Sequence, residues 1–112
     1  MFVKYDPAGF TSPLEGIEMK TIVYGDKSNL TRFHLKAGSL LPSHSHPHEQ
    51  TGFLISGKME LSIDGDIFQV DPGDCWSIKG GVEHSAKVFK DAVAIEVFSP
   101  LREDYLPGSI ER

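Results

Sequence analysis

His44, His46 and His48 fall within the string SHSHPHEQ, and Gln50 closes it. On an extended segment, residues two apart point the same way. His44 and His46 then share a face, with Cα atoms roughly 6.5–7 Å apart. Two imidazoles at that separation can converge on one ion about 2.0–2.1 Å from each ring nitrogen. His48 has the same parity, but Pro47 and the approaching turn can carry it elsewhere. Gln50 stands at the start of the apolar run TGFLIS and could enter from a neighbouring strand. His84 follows Gly80-Gly81 far along the chain, and in a barrel it can lie beside His46. The same cluster also suits an exposed loop with no metal, or a loose tract that scavenges copper or nickel. His34 stands alone on a strand and reads as a satisfied lumen or surface residue.

A second string able to do chemistry is IEVFSPLREDYL, residues 95–106. Strand parity puts Glu96 and Phe98 on one face and Val97 on the other. Arg102 follows across the Ser99-Pro100 corner. A carboxylate, an aromatic face and a guanidinium together could bind a sugar acid. Arg102 would fork onto the substrate carboxylate, Phe98 would pack on its apolar face, and Glu96 would move a proton. The alternative is that Glu96 and Arg102 merely pair, or face solvent near a dimer contact.

Short strands must hold these groups in place. IEMKTIVY (17–24) alternates, with Ile17, Met19, Thr21 and Val23 on one face, and KMELSI (58–63) sets Met59, Leu61 and Ile63 opposite Lys58, Glu60 and Ser62. SIDGDIFQV reads as a hairpin about Asp64-Gly65, and Pro72-Gly73 marks another tight turn. Residues 75–78 form a short strand with Cys75 and Trp76 on opposite faces. Cys75 reads as a small buried apolar residue, and Trp76 as a core or dimer contact. AVAIEVFS (92–99) is a long strand rich in β-branched residues. Ser99 then reads as an N-cap, with Pro100 in the first turn of a short helical piece. Regular strands with glycine turns describe an all-β sandwich or small barrel, with a short C-terminal helical segment.

The chain has 112 residues, which suits one domain over 1–112, and its single cysteine rules out an intrachain disulfide. That cysteine usage suits a reducing compartment, and no stretch reads as a signal peptide or a membrane span. A soluble cytoplasmic protein is the expectation. Net charge is −5, with the basic residues scattered. Nucleic acid binding needs a basic stripe, so no nucleic acid partner is expected.

The string Gly38…His44-x-His46…Gln50…Gly57 is similar to the first cupin motif, and Gly73…Lys79-x-Gly81…His84 resembles the second. Gln50 stands where that family carries glutamate, Lys79 where it carries proline and Val88 where it carries asparagine. The chain resembles a small single-domain cupin, which implies a double-stranded β-helix, or jelly-roll barrel. By that resemblance, His44, His46, Gln50 and His84 are the four protein ligands of one divalent transition metal ion. Manganese, iron, nickel, copper and zinc all suit such a donor set, with availability deciding. A neutral amide keeps the site at a formal +2 where a carboxylate would leave +1. That sharpens its Lewis acidity and favours an anionic substrate.

The ending Glu96-Val-Phe98-Ser-Pro-Leu-Arg102-Glu-Asp-Tyr resembles the Asp-x-Phe-Thr-Pro-x-Arg-Glu-Asp-Phe close of the pectin-degradation cupins. Those enzymes open 4,5-unsaturated uronic acids to linear keto acids. The resemblance puts Glu96, Phe98 and Arg102 on their catalytic and substrate-binding positions, with Glu96 one methylene longer than the aspartate there. It also implies a homodimer. The leading expectation is a metal-dependent isomerase- or lyase-like enzyme on a small anionic sugar acid or keto acid. A ferrous-iron dioxygenase and a non-catalytic binding module are the alternatives.

Overall fold

Period-two alternation explains most of the strands in the computed structural model, which describes residues 1–107. The elements are β1 (Thr11–Leu14), β2 (Ile17–Tyr24), β3 (Asn29–Leu35) and β4 (Leu40–His44), then β5 (Glu49–Ile63), β6 (Asp66–Val70), β7 (Cys75–Ile78) and β8 (His84–Ser99). In β2, Ile17, Met19 and Thr21 turn inward, while β3 buries Asn29, Thr31 and Phe33. Between Ile63 and Asp66 the chain reverses through Asp64 (φ 50°) and Gly65 (φ 84°), the positive-φ pair that a two-residue hairpin demands.

The strands pair antiparallel in the order β1-β2-β3-β8-β5-β6, with β4 also on β8 and β7 also on β5. The two long strands, β5 and β8, run against each other from Glu49↔Ser99 to Ile63↔His84. Each changes its other partner part way along. β8 meets β4 and then β3, and β5 meets β7 and then β6. This change of partners folds the sheet over into a jelly-roll barrel.

The bend lies at Ser56–Lys58, where the β5–β8 register shifts repeatedly. It flips the inward parity of β5 from Gln50, Gly52 and Leu54 to Met59, Leu61 and Ile63. Gly57 (φ 93°) makes the bend possible, because a Cβ there would overlap Asp91 and Ala92 of β8. The core alternates large and small side chains, Phe33, Leu54 and Phe98 against Ala86, Ala92 and Ala94, as a narrow barrel requires.

Two expectations are corrected. Cys75 is exposed on the barrel's outer face, because Trp76 turns inward and strand parity sends its neighbour out. Ser99 is no N-cap: it ends β8, its hydroxyl donates to the Lys27 carbonyl, and the Ser99–Pro100 peptide is cis. The helical piece is one 3-10 turn, Glu103–Tyr105, begun at Arg102 with no side-chain cap. His34 meets its expectation. It lies half-buried outside the barrel, accepting from Arg32 Nε at 3.1 Å and stacking on Phe10. No helix among the described residues is long and apolar enough to cross a membrane.

Candidate metal centre

Strand pairing does what sequence spacing leaves open. His44, at the end of β4, sits opposite His84, the first residue of β8. His46 follows in the loop to β5, and its ring lies 5.0 Å from that of His84. One nitrogen from each of the three rings lies within 4.8 Å of the others, so the cluster could hold a metal ion. Each ring is oriented by the same device. Nδ1 of His44, His46 and His84 bonds the backbone carbonyl of Pro42, His48 and Val82 respectively, at 2.8, 2.9 and 2.9 Å. A carbonyl only accepts, so Nδ1 carries the proton and Nε2 keeps its lone pair.

Two further observations fit a cation. His84 is 3% exposed and its Nε2 has no hydrogen-bond partner among the described residues. His46 Nε2 faces Gln50 Oε1 at 2.7 Å. The Gln50 amide nitrogen donates to Glu96 Oε2, which fixes the flip and leaves the amide oxygen toward His46. With Nδ1 protonated, both facing atoms are acceptors. Such a pair needs a proton or a shared cation between them. Burial lowers the pKa of His46, helped by Arg102 and His44 and opposed by the Gln50 and His48 contacts. Burial also lowers that of His84, with His44, His46 and Arg102 adding to it against the Val82 bond. Both shifts favour the neutral imidazole that binds metal. His48 shares the loop, but its ring lies 5.7 Å from His46 and outside the three-histidine cluster.

Beside the histidines, the barrel interior holds the second string. Glu96 and Phe98 turn inward on β8 as parity requires, and line one cavity with Gln50, Trp76, His84 and Arg102. Burial pushes the Glu96 carboxyl from 4.5 up to about 7, against hydrogen bonds from Trp76 and Gln50 and the charge of Arg102. Arg102 does not pair with Glu96. Its Nε contacts both oxygens of Asp104 at 3.2 and 3.3 Å, and its guanidinium lies 3.7 Å from the Tyr105 ring centroid and 5.1 Å from that of Phe98. The Arg102 backbone N–H donates to the buried Asn29 side chain, docking the segment after β8 onto β3.

Two residues of this site escaped the sequence reading. Trp76 is no mere core or dimer contact, because its indole N–H donates to Glu96 Oε2 at 3.2 Å. The available signal was Gly52, a glycine inside a strand, which marks a close approach. Tyr105 supplies the face under Arg102, and the helical reading of LREDYL hid it.

A larger cavity, about 440 Å³, lies outside the barrel between the N-terminal segment and β2 and β3, lined by Phe2, Tyr5 and Phe10 among others. Among the described residues His34 is its one imidazole, and none of its lining residues belongs to a metal-binding cluster.

Fold and motif together define the class. The family described as Cupin domain matches residues 31–98, more than half of the chain, and the protein belongs to it. Within that family it is similar to the pectin degradation protein KdgF of Dickeya dadantii (strain 3937). The two are 28% identical over 94 residues, covering 82% of this chain and 86% of that one. The structure of KdgF from Halomonas sp. superposes with a TM-score of 0.88 at 25% identity, over 95% of this chain and 100% of that one. An RmlC-like cupin from Shewanella frigidimarina NCIMB 400 also reaches 0.88, at 20% identity over 95% and 96% of the two chains, and shows the shared fold.

Proposed function

We propose that the protein is a metal-dependent, cytoplasmic enzyme that opens an unsaturated uronate, or isomerises a closely related keto acid. The observation that carries this reading is that Glu96, Phe98 and Arg102 line the same cavity as His44, Gln50 and His84. The likeness to two KdgF proteins, one named for pectin degradation, supports the substrate class.

In this reading His44, His46, Gln50 and His84 hold one divalent transition metal ion, of manganese, iron, nickel, copper or zinc. When bound, that ion supplies Lewis acidity to a substrate oxygen. The terminal nitrogens of Arg102 fork onto the substrate carboxylate, with Asp104 holding the guanidinium edge and Tyr105 its face. Phe98 packs on the apolar side of the substrate. Glu96, with a pKa near neutrality, both gives and takes a proton. As the ring-opened enol becomes a ketone, its carboxyl delivers a proton to carbon and recovers one from the enol oxygen. The cavity is only about 60 Å³, well below the roughly 300 Å³ at which pockets for drug-sized ligands begin. The sugar therefore lies partly in the mouth beside Arg102, with its reacting end inside. The reading includes a homodimer, whose partner would cover apolar outer residues such as Phe53, Ile55 and Val97.

The test is loss of ultraviolet absorbance from a 4,5-unsaturated uronate incubated with the metal-loaded protein. Metal-stripped protein and Arg102→Ala are the controls, because such substrates also open unaided. Metal-dependent acceleration that Arg102→Ala removes is the expected result. A rate equal to the unaided background overturns the reading.

A further inference from the structure

Strand register lays Trp76, Gly52, Glu96, Thr31 and Thr21 side by side, on β7, β5, β8, β3 and β2 in turn. Neighbouring strands are about 4.8 Å apart, so roughly 9.6 Å separates the backbones of Trp76 and Glu96. Gly52 lies between them. A Cβ on Gly52 would overlap the indole ring, so the ring occupies the space that a side chain there would fill. Lying across that slot, the indole reaches the carboxylate one strand further on, and Nε1 donates to Glu96 Oε2 at 3.2 Å. Gln50, two residues earlier on β5, donates to the same oxygen. The other oxygen, Oε1, has no hydrogen bond among the described residues.

We infer that Trp76, admitted by Gly52, is a positioning residue that locks the rotamer of Glu96 and presents its free carboxylate oxygen to the substrate. A glutamate has three side-chain torsions to restrain, and one bond from Gln50 leaves Oε2 free to move around that single donor. The indole comes from the opposite side of β8's neighbour and removes that freedom. It also holds Glu96 against the Gln50 amide, whose oxygen faces His46. The chain of contacts thus runs from the indole to the histidine cluster. The activity consequence rests on the proposed function; the contact itself does not.

Two variants approach the slot from opposite sides. Trp76→Phe keeps a ring and removes the donor, while Gly52→Ala keeps the donor and displaces it. Both are expected to lower kcat by about 10²-fold, the cost of misplacing a reacting group by about 1 Å. KM and metal stoichiometry are expected to stay within about threefold and unchanged respectively, because neither variant alters Arg102 or the ligands. Unaltered kcat in Trp76→Phe overturns the inference. Trp76 is the sole tryptophan, so its fluorescence reports the contact without any turnover. Its emission is expected to shift in Gly52→Ala and in Glu96→Gln, each of which alters the partner or the placement of the indole. Emission identical to the wild type in Glu96→Gln overturns the inference. An inactive wild type refutes the uronate reading instead, and the emission comparison still decides the positioning role.

Discussion

At the scale of single residues, the centre depends on Gln50 being an amide. One end turns its oxygen toward His46 and the other donates to Glu96, a division of labour that a carboxylate cannot reproduce. Gln50→Glu puts two carboxylates in contact and adds a negative charge beside the proposed metal ion. Metal should then resist a chelator at least tenfold longer, while kcat falls by about 10²-fold; chelator competition and steady-state kinetics measure the two. Glu96 makes a separate prediction for the metal-free protein. Its folded pKa is raised from 4.5 to about 7, so between those values the folded chain binds more protons than the unfolded one. The stability this contributes is present below pH 4.5 and lost as pH rises through about 7. Glu96→Gln should match the wild-type Tm at the acid end of that window and exceed it at the neutral end, by thermal unfolding of both proteins across the range. That His44 and His46 could share one ion was legible from residue type and spacing. The near-neutral carboxyl was not, because burial is set by strands distant in sequence.

At the scale of elements, the bend in β5 decides which side chains face inward. Positive φ at Gly57 and the backbone of β8 packed against it leave no room for a Cβ. Gly57→Ala should therefore cost about 3 kcal/mol or more, combining left-handed strain with overpacking. Gly65→Ala, in a turn with open space around it, should cost only about 1–2 kcal/mol. Urea denaturation of the two variants measures the difference. The alternation of residues 58–63 was legible. That 49–56 belongs to the same strand with opposite parity was not, because a pattern read along the chain does not register a bulge that flips the face. The same limit hid the true start of β8 at His84, which the isolated pattern of AVAIEVFS placed later. Ser99 read as a helix cap because its sequence neighbours suit one; pairing with Glu49 keeps it in the sheet.

At the scale of the whole molecule, the net charge of −5 contrasts with the proposed site, which sets Arg102 beside a histidine cluster that could hold a metal ion. In the proposed reading, an anionic substrate would meet Arg102 at the cavity. On the outside, Phe53 is 45% exposed on β5, in register with Ile95 of β8. Phe53→Glu should convert the proposed homodimer to a monomer, read by sedimentation equilibrium at matched concentration, with turnover per chain changed less than threefold. The sequence by itself determined the donor types, the parity of Glu96 and Phe98, the Asp64-Gly65 reversal and the all-β class. These follow from side-chain chemistry and a period of two, both of which act within a few residues. Only the tertiary structure decided that His84 joins His44 and His46, that Gln50 turns its oxygen toward them, and that Trp76 reaches Glu96 across Gly52. Each of those depends on the register between strands far apart in the chain, and register is fixed by the packing of the whole barrel.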